Sequence, residues 1–219
     1  MAEQLTIATT THGRVLVEEA ADASSSRLIV AFHGYAQRAE DVLDHVRRIP
    51  GVSQWRIASV QALGRFYARD QETVVASWMT RQDRELAIAD NIEYVDRVVD
   101  RLASPAAPHR LVFVGFSQGA AMAYRAALLG RHRADGVVAL GGDIPPELAK
   151  IGVAWPPVLI GAGRVDQWYT EARLNADIAV LQSCGATHKV CHFAGGHEWA
   201  EEFSAAAGDW LASDFALPS

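Results

Sequence analysis

The sequence predicts an α/β fold, a mostly parallel twisted sheet with helices on both faces. Three observations carry that expectation. Short unbroken apolar runs recur along the chain, among them Arg27–Phe32, Leu111–Val114, Gly136–Leu140 and Pro157–Gly161. A run without polar interruption is the mark of a strand buried on both faces. Stretches with helical spacing separate these runs, and strands alternating with helices imply a parallel sheet covered on both sides. The length, 219 residues, suits one such domain over 1–219 and is enough to bury a core without staples.

Taken in order, Gln4–Thr9 and Arg14–Glu19 alternate like strands. They flank Thr10-Thr11-His12-Gly13 and are expected to open the chain as a hairpin. Asp22–Ser26 is a polar loop before the first buried strand, Arg27–Phe32. Ala39–Ile49 reads as a helix closed by Pro50-Gly51, and Trp55–Val60 as the next strand. Residues 61–80 have no clear period. A loop this long inside a domain is usually functional or disordered. Its aromatics Phe66, Tyr67 and Trp78 argue for order, and the segment is expected to wall a site.

A long helix is expected from Thr80. Thr80-x-x-Asp83 resembles a cap, and Ile88, Ile92, Val95, Val99 and Leu102 form one apolar face that Ser104-Pro105 ends. After the strand at Leu111–Val114 a second helix runs to about Leu129. Strands at Gly136–Leu140, Pro157–Gly161 and His188–Phe193 follow, with a helix at Thr170–Gln182 and a last one over Glu198–Phe215.

The chemistry gathers at strand ends, where open parallel sheets bind ligands. Gly115-Phe116-Ser117-Gln118-Gly119 is a G-x-S-x-G turn between a buried strand and an alanine-rich helix, the pattern of a nucleophile elbow. The turn is so tight that side chains at 115 and 119 would strike neighbouring backbone, and glycine removes both collisions. A serine hydroxyl needs a base to take its proton. His197, after the last strand, is the candidate base, and Asp166, after Gly163, the candidate acid that orients it. Asp143, also after a strand, is the rival acid and reads better as a pocket wall. The backbone N–H groups of Gln118 and of Tyr35, in His33-Gly34-Tyr35, are the candidate oxyanion donors. Trp78 and Trp168 are candidate pocket walls.

The motifs His33-Gly34-Tyr35, Gly115-Phe116-Ser117-Gln118-Gly119, Gly163-x-x-Asp166 and Gly196-His197 resemble the compact phospholipase/carboxylesterase group of α/β-hydrolases. That group includes bacterial carboxylesterases and acyl-protein thioesterases, and the resemblance spans about residues 27–215. It implies a minimal α/β-hydrolase fold without a large lid. It also implies cleavage of carboxylic esters or thioesters with no cofactor, and pairing as a homodimer, which many members show. The chain departs from the group in two places. Ala36 stands where the group often has a second glycine. Gln167-Trp168-Tyr169 stand where small or β-branched residues and a proline are common. The function expected is a serine hydrolase for small to medium carboxylic esters. The alternatives are an acyl thioesterase or lysophospholipase for longer chains, and a non-catalytic ligand-binding protein on the same fold.

Composition narrows the partners. A formal net charge of -6 argues against nucleic acid, which needs a concentrated basic face. Only Lys150 and Lys189 are lysines, so arginine carries nearly all the positive charge. Cys184 and Cys191 make no disulfide framework. The histidines show no metal-binding spacing, so no metal site is expected. The start lacks the basic and apolar regions of a signal peptide, no run is long enough to span a membrane, and a cytoplasmic location is expected.

Overall fold

The computed structural model describes residues 2–103, 108–213 and 215. Its main sheet has seven strands: β1 (Arg14–Glu18), β2 (Arg27–Phe32), β3 (Arg56–Gln61), β6 (Arg110–Phe116), β7 (Gly136–Leu140), β8 (Val158–Gly163) and β9 (His188–Phe193). Their order is β1-β3-β2-β6-β7-β8-β9. All neighbours run parallel except β1, which lies antiparallel to β3. The helices are α1 (Ala39–Val46), α2 (Arg84–Ala103), α3 (Gln118–Leu129), α4 (Glu171–Ser183) and α5 (Glu201–Ala212). The chain therefore has the α/β-hydrolase fold.

The side chains of β2 explain the layering. Leu28, Val30 and Phe32 point into a core shared with residues of α2, α3 and α4. Ile29 and Ala31 point to the opposite core, shared with α1 and α5. Residues 28–32 are all buried, and each large apolar side chain so buried contributes about 1.5–3 kcal/mol over leaving it in water. A strand apolar on both faces can be satisfied only between two helical layers.

Two expectations change. Gln4–Thr9 forms no strand: residues 4–9 are exposed, and β1 pairs with β3 instead, Arg14 opposite Gln61. The chain before β1 is drawn across α2, where the Gly13 backbone lies against the Tyr94 ring and the Tyr94 hydroxyl donates to the Arg14 carbonyl at 2.9 Å. The long helix begins at Arg84 rather than Thr80, after Asp83 in a left-handed conformation, φ 48°. Ser104-Pro105, expected to end it, lies outside the described residues.

Segment 61–80 is ordered as a small hairpin, β4 (Gly64–Tyr67) antiparallel to β5 (Val74–Ser77). Asp70 closes its turn by accepting from the N–H groups of Glu72 and Thr73 and from the Thr73 hydroxyl. Three buried or half-buried side chains hold its base. His33 Nε2 accepts from the Ala62 N–H, Asn91 accepts from the Leu63 N–H and donates to the Trp78 carbonyl, and Gln118 accepts from the Trp78 N–H.

The contact that joins the layers at the site is between α3 and the end of β2. A β-carbon on Gly119 would lie 2.1 Å from the Phe32 carbonyl oxygen, and one on Gly115 would lie 2.2 Å from the Gly119 carbonyl oxygen. These obstacles are backbone atoms and cannot swing aside. Gly119→Ala is therefore expected to lower stability by about 3 kcal/mol, the upper range for overpacking. Chemical denaturation measures it, and a midpoint equal to that of the unaltered chain would contradict the packing described.

Candidate active site

Ser117 sits between β6 and α3 with φ 56° and ψ -119°, a region that costs a non-glycine residue energy and persists only where its surroundings enforce it. Its N–H donates to the Leu140 carbonyl at 2.8 Å, which fastens the turn to the end of β7. The hydroxyl then meets the His197 ring, with Oγ 2.8 Å from Nε2. On the other side of the ring, Nδ1 lies 2.8 Å from Asp166 Oδ2. With Nδ1–H donating to the carboxylate, Nε2 of the neutral ring is left free to accept the serine proton. The Phe116 ring packs on that of His197 at 5.0 Å between centroids.

Asp166 is buried, its side chain only 1% exposed. Burial by itself would raise its pKa. The Tyr169 N–H at 2.9 Å, the His197 ring and the Trp168 N–H at 2.7 Å outweigh that and hold the carboxyl below its ordinary range. The group therefore stays ionised and keeps a fixed orientation toward His197.

The end of β2 supplies the facing loop. His33 is fully buried. Its Nδ1–H donates to the Gly34 carbonyl at 2.7 Å while Nε2 accepts from Ala62, so both ring nitrogens are committed and burial lowers its pKa. The Gly34 N–H donates to Gln37 Oε1 at 2.7 Å. Ala36 takes φ 55°, a left-handed conformation that glycine adopts without strain. The N–H groups of Tyr35 and Gln118 have no acceptor among the described residues.

Trp78 is not a pocket wall. Its indole is 1% exposed, packed edge-on against Phe32 at 5.3 Å, with Nε1 donating to the His33 carbonyl at 2.8 Å. It supports the β2 loop from the core side because a large apolar ring with one polar handle is most stable where both are satisfied. Sequence reasoning also missed the Gln118 side chain. Its Oε1 accepts from the Trp78 N–H at 2.9 Å and its Nε2 donates to the Met79 carbonyl at 3.2 Å, tying segment 77–79 to the elbow.

A cavity of about 560 Å³ opens beside Ser117 and includes Tyr35, Asp143, Trp168 and His197 in its lining. Trp168 stands 74% exposed at its edge. Asp143 forms an ion pair with Arg173. The β4–β5 hairpin reaches the rim through Phe66, whose ring lies 5.7 Å from that of Tyr35, and Met79 just beyond β5 lines the cavity itself. A separate cavity of about 490 Å³ lies between residues 9–13 and α2 and holds none of these groups.

Asp177, on α4 and 5% exposed, was not foreseen. It accepts from the Tyr169 hydroxyl at 2.8 Å and from the Ile144 N–H at 3.1 Å. Tyr169 thus links Asp177 to Asp166, while Ile144 fixes the wall that carries Asp143. Burial pushes the Asp177 carboxyl up to about 6, with Asp143 adding to the rise, against the Tyr169, Ile144 and Arg173 contributions. An acid whose pKa is raised by folding holds its proton more tightly in the native chain than in the unfolded one, so its contribution to stability falls as pH rises from about 4 to about 6. The stability of the unaltered chain minus that of Asp177→Asn should then fall by about 2 kcal/mol between pH 4 and pH 7. Denaturation across that range measures it, and a difference constant with pH would contradict this placement.

Comparison with known proteins agrees with this architecture. The signature of the phospholipase/carboxylesterase family matches residues 73–211. Among curated proteins, none matches the chain. Among solved structures, esterase PE8 aligns with a TM-score of 0.75 at 21% identity, covering 93% of this chain and 99% of its own. A Bacillus cereus carboxylesterase gives 0.74 at 18%, covering 93% and 95%. Acyl-protein thioesterase 2 of Zea mays gives 0.73 at 17%, covering 94% and 100%. With its signature matched across more than half its length, the chain belongs to the phospholipase/carboxylesterase family of carboxylic ester hydrolases.

Proposed function

We propose that this chain is a serine esterase for small to medium carboxylic esters, acting as one domain over residues 1–219. The observation that carries the reading is the continuous contact from Ser117 Oγ through His197 to Asp166, at 2.8 Å on each side of the ring. Ser117 attacks the acyl carbon while His197 Nε2 takes its proton. The tetrahedral oxyanion is held by the N–H groups of Tyr35 and Gln118, which are free of protein acceptors among the described residues. Gln118 opens α3, where unpaired N–H groups and the helix dipole favour negative charge. The imidazolium passes the proton to the leaving alkoxide, so the alcohol departs and an acyl-serine remains. Water then attacks the acyl-serine and gives a proton to His197; as the bond to Ser117 Oγ breaks, His197 returns that proton to Oγ, the carboxylic acid leaves and free Ser117 is restored. Asp166 stabilises the imidazolium at each turn without taking a proton.

The guanidinium of Arg125 in the cavity lining along α3 favours short and medium acyl groups over long apolar ones, which would have to lie against a charge. The longer-chain thioesterase reading separates from it in a single assay. Across a series of acyl esters and thioesters, turnover is expected to peak at short to medium esters and to fall for palmitoyl substrates. Ser117→Ala should lose roughly 10⁴-fold or more in turnover. Undiminished hydrolysis by Ser117→Ala would end the proposal, and a maximum at palmitoyl thioesters would transfer it to the alternative.

A further inference from the structure

The cavity beside Ser117 carries more positive charge than hydrolysis of a neutral ester requires. The protein as a whole has a formal net charge of -6. Yet Arg84, Arg125 and Arg173 line this cavity against a single carboxylate, Asp143. Arg173 is neutralised by Asp143. The other two guanidiniums converge on one oxygen outside the lining, Glu147 Oε1. Arg125 reaches it through Nε at 2.8 Å and Nη2 at 2.7 Å, and Arg84 through Nη2 at 3.8 Å. Arg84 also meets Glu85 at 2.6 Å, but that carboxylate is 80% exposed, and exposed pairs are weak and screened.

Arg125 is the unusual member. Its side chain is 2% exposed, and burial lowers its pKa although Glu147 supports the charge. Among the described residues the guanidinium edge at Nη1 meets only the Met79 sulfur, at 3.7 Å, and thioether sulfur is a poor acceptor. Met79 and Arg125 both line the cavity, so a buried cationic donor edge, Nη1, with no oxygen partner among the described residues stands at its wall. Leaving such a donor unmatched is costly, and an anionic oxygen is the partner that relieves it best.

Position agrees with charge. Gln118, Ala121 and Arg125 share one face of α3, by their spacing of three and four residues, and the cavity follows that face. Arg125 lies eight residues beyond Ser117, about 12 Å along the helix axis. Side chains on a helix tend to lean back toward its start, and the Arg125 guanidinium reaches Met79, which lies beside Gln118. The guanidinium therefore waits several bonds from the carbon that Ser117 would attack.

We infer that the cavity selects esters that bear a free carboxylate several bonds from the scissile carbonyl, held by Arg84 and Arg125. This rests on the serine-esterase reading and names its substrate class. Glu147 is then the internal competitor, which keeps the two arginines paired until a substrate carboxylate arrives.

The test is the ratio of kcat/KM for a charged ester to that for its neutral isostere. Monoethyl adipate against ethyl hexanoate probes a carboxylate on the acyl side, and the acetyl ester of 6-hydroxyhexanoate against hexyl acetate probes the alcohol side. In one of the two pairs the ratio is expected to exceed roughly tenfold, the worth of a charge-assisted hydrogen bond, and to fall as salt is raised. Arg84→Gln, at a partly exposed position, should lower the ratio, and Glu147→Gln should raise it by releasing both guanidiniums. An increase on removing a charge is a result that structural damage does not produce. Ratios of one or below in both pairs, or ratios unmoved by Arg84→Gln, would overturn the inference. Neutral esters hydrolysed with no preference would count against the carboxylate site alone. No hydrolysis of any ester would count against the esterase reading itself.

Discussion

The approach of Gly119 to the carbonyls of Phe32 and His33 is the constraint on which the rest of this structure depends. Backbone meets backbone there, and no side chain can intervene. The contact draws the start of α3 against the end of β2. That single approach sets Ser117 in its strained conformation and brings the loop that carries Tyr35 to the same edge of the sheet. The surrounding polar groups serve the same arrangement. His33 uses both ring nitrogens to fix the β2 loop and the chain after β3, and Gln118 ties the elbow to the end of β5. Trp78 fills the space beneath and bonds to the His33 carbonyl. Strain at one residue is sustained because several neighbours leave it no alternative.

A second network holds the opposite side. Asp166 is fixed by the two N–H groups that follow it and by His197, so its charge and direction are set locally. Tyr169 carries that order inward to Asp177, which in turn holds the Ile144 wall. Trp168 and Tyr169, which both donate backbone N–H groups to Asp166, thus have separate roles. Trp168 stands in solvent at the cavity edge, whereas Tyr169 is a buried strut. The arginines of the lining form a third group, in which Arg125 and Arg84 converge on Glu147 and Arg173 pairs with Asp143.

What the sequence disclosed was whatever local geometry demands. The G-x-S-x-G turn, Gly163-x-x-Asp166 and Gly196-His197 could be read because a tight turn requires glycine at known offsets, and the buried strands because apolar runs have few other uses. Ser117, Asp166 and His197 were singled out that way as candidates, and the structure places their side chains in contact. Features set by distant contacts were not legible. Whether Trp78 faces the pocket or the core depends on Phe32 and His33, far away in sequence. The β4–β5 hairpin has weak alternation and is held by His33, Asn91 and Gln118 from three other elements. Gln4–Thr9 alternates well, yet the chain beyond it is drawn to α2 and β1 finds β3 as its partner. Asp177 and Arg125 lie in stretches with helical spacing, and nothing local in the sequence tells that they are buried.

The proposed function requires that the arrangement around Ser117 make it a nucleophile. Treatment of the folded chain with a fluorophosphonate, followed by intact mass and peptide mapping, tests it most directly. One adduct is expected, located on Ser117, with labelling slowed severely in His197→Ala. An adduct on another residue, or none on a chain whose unfolding transition is intact, would contradict it.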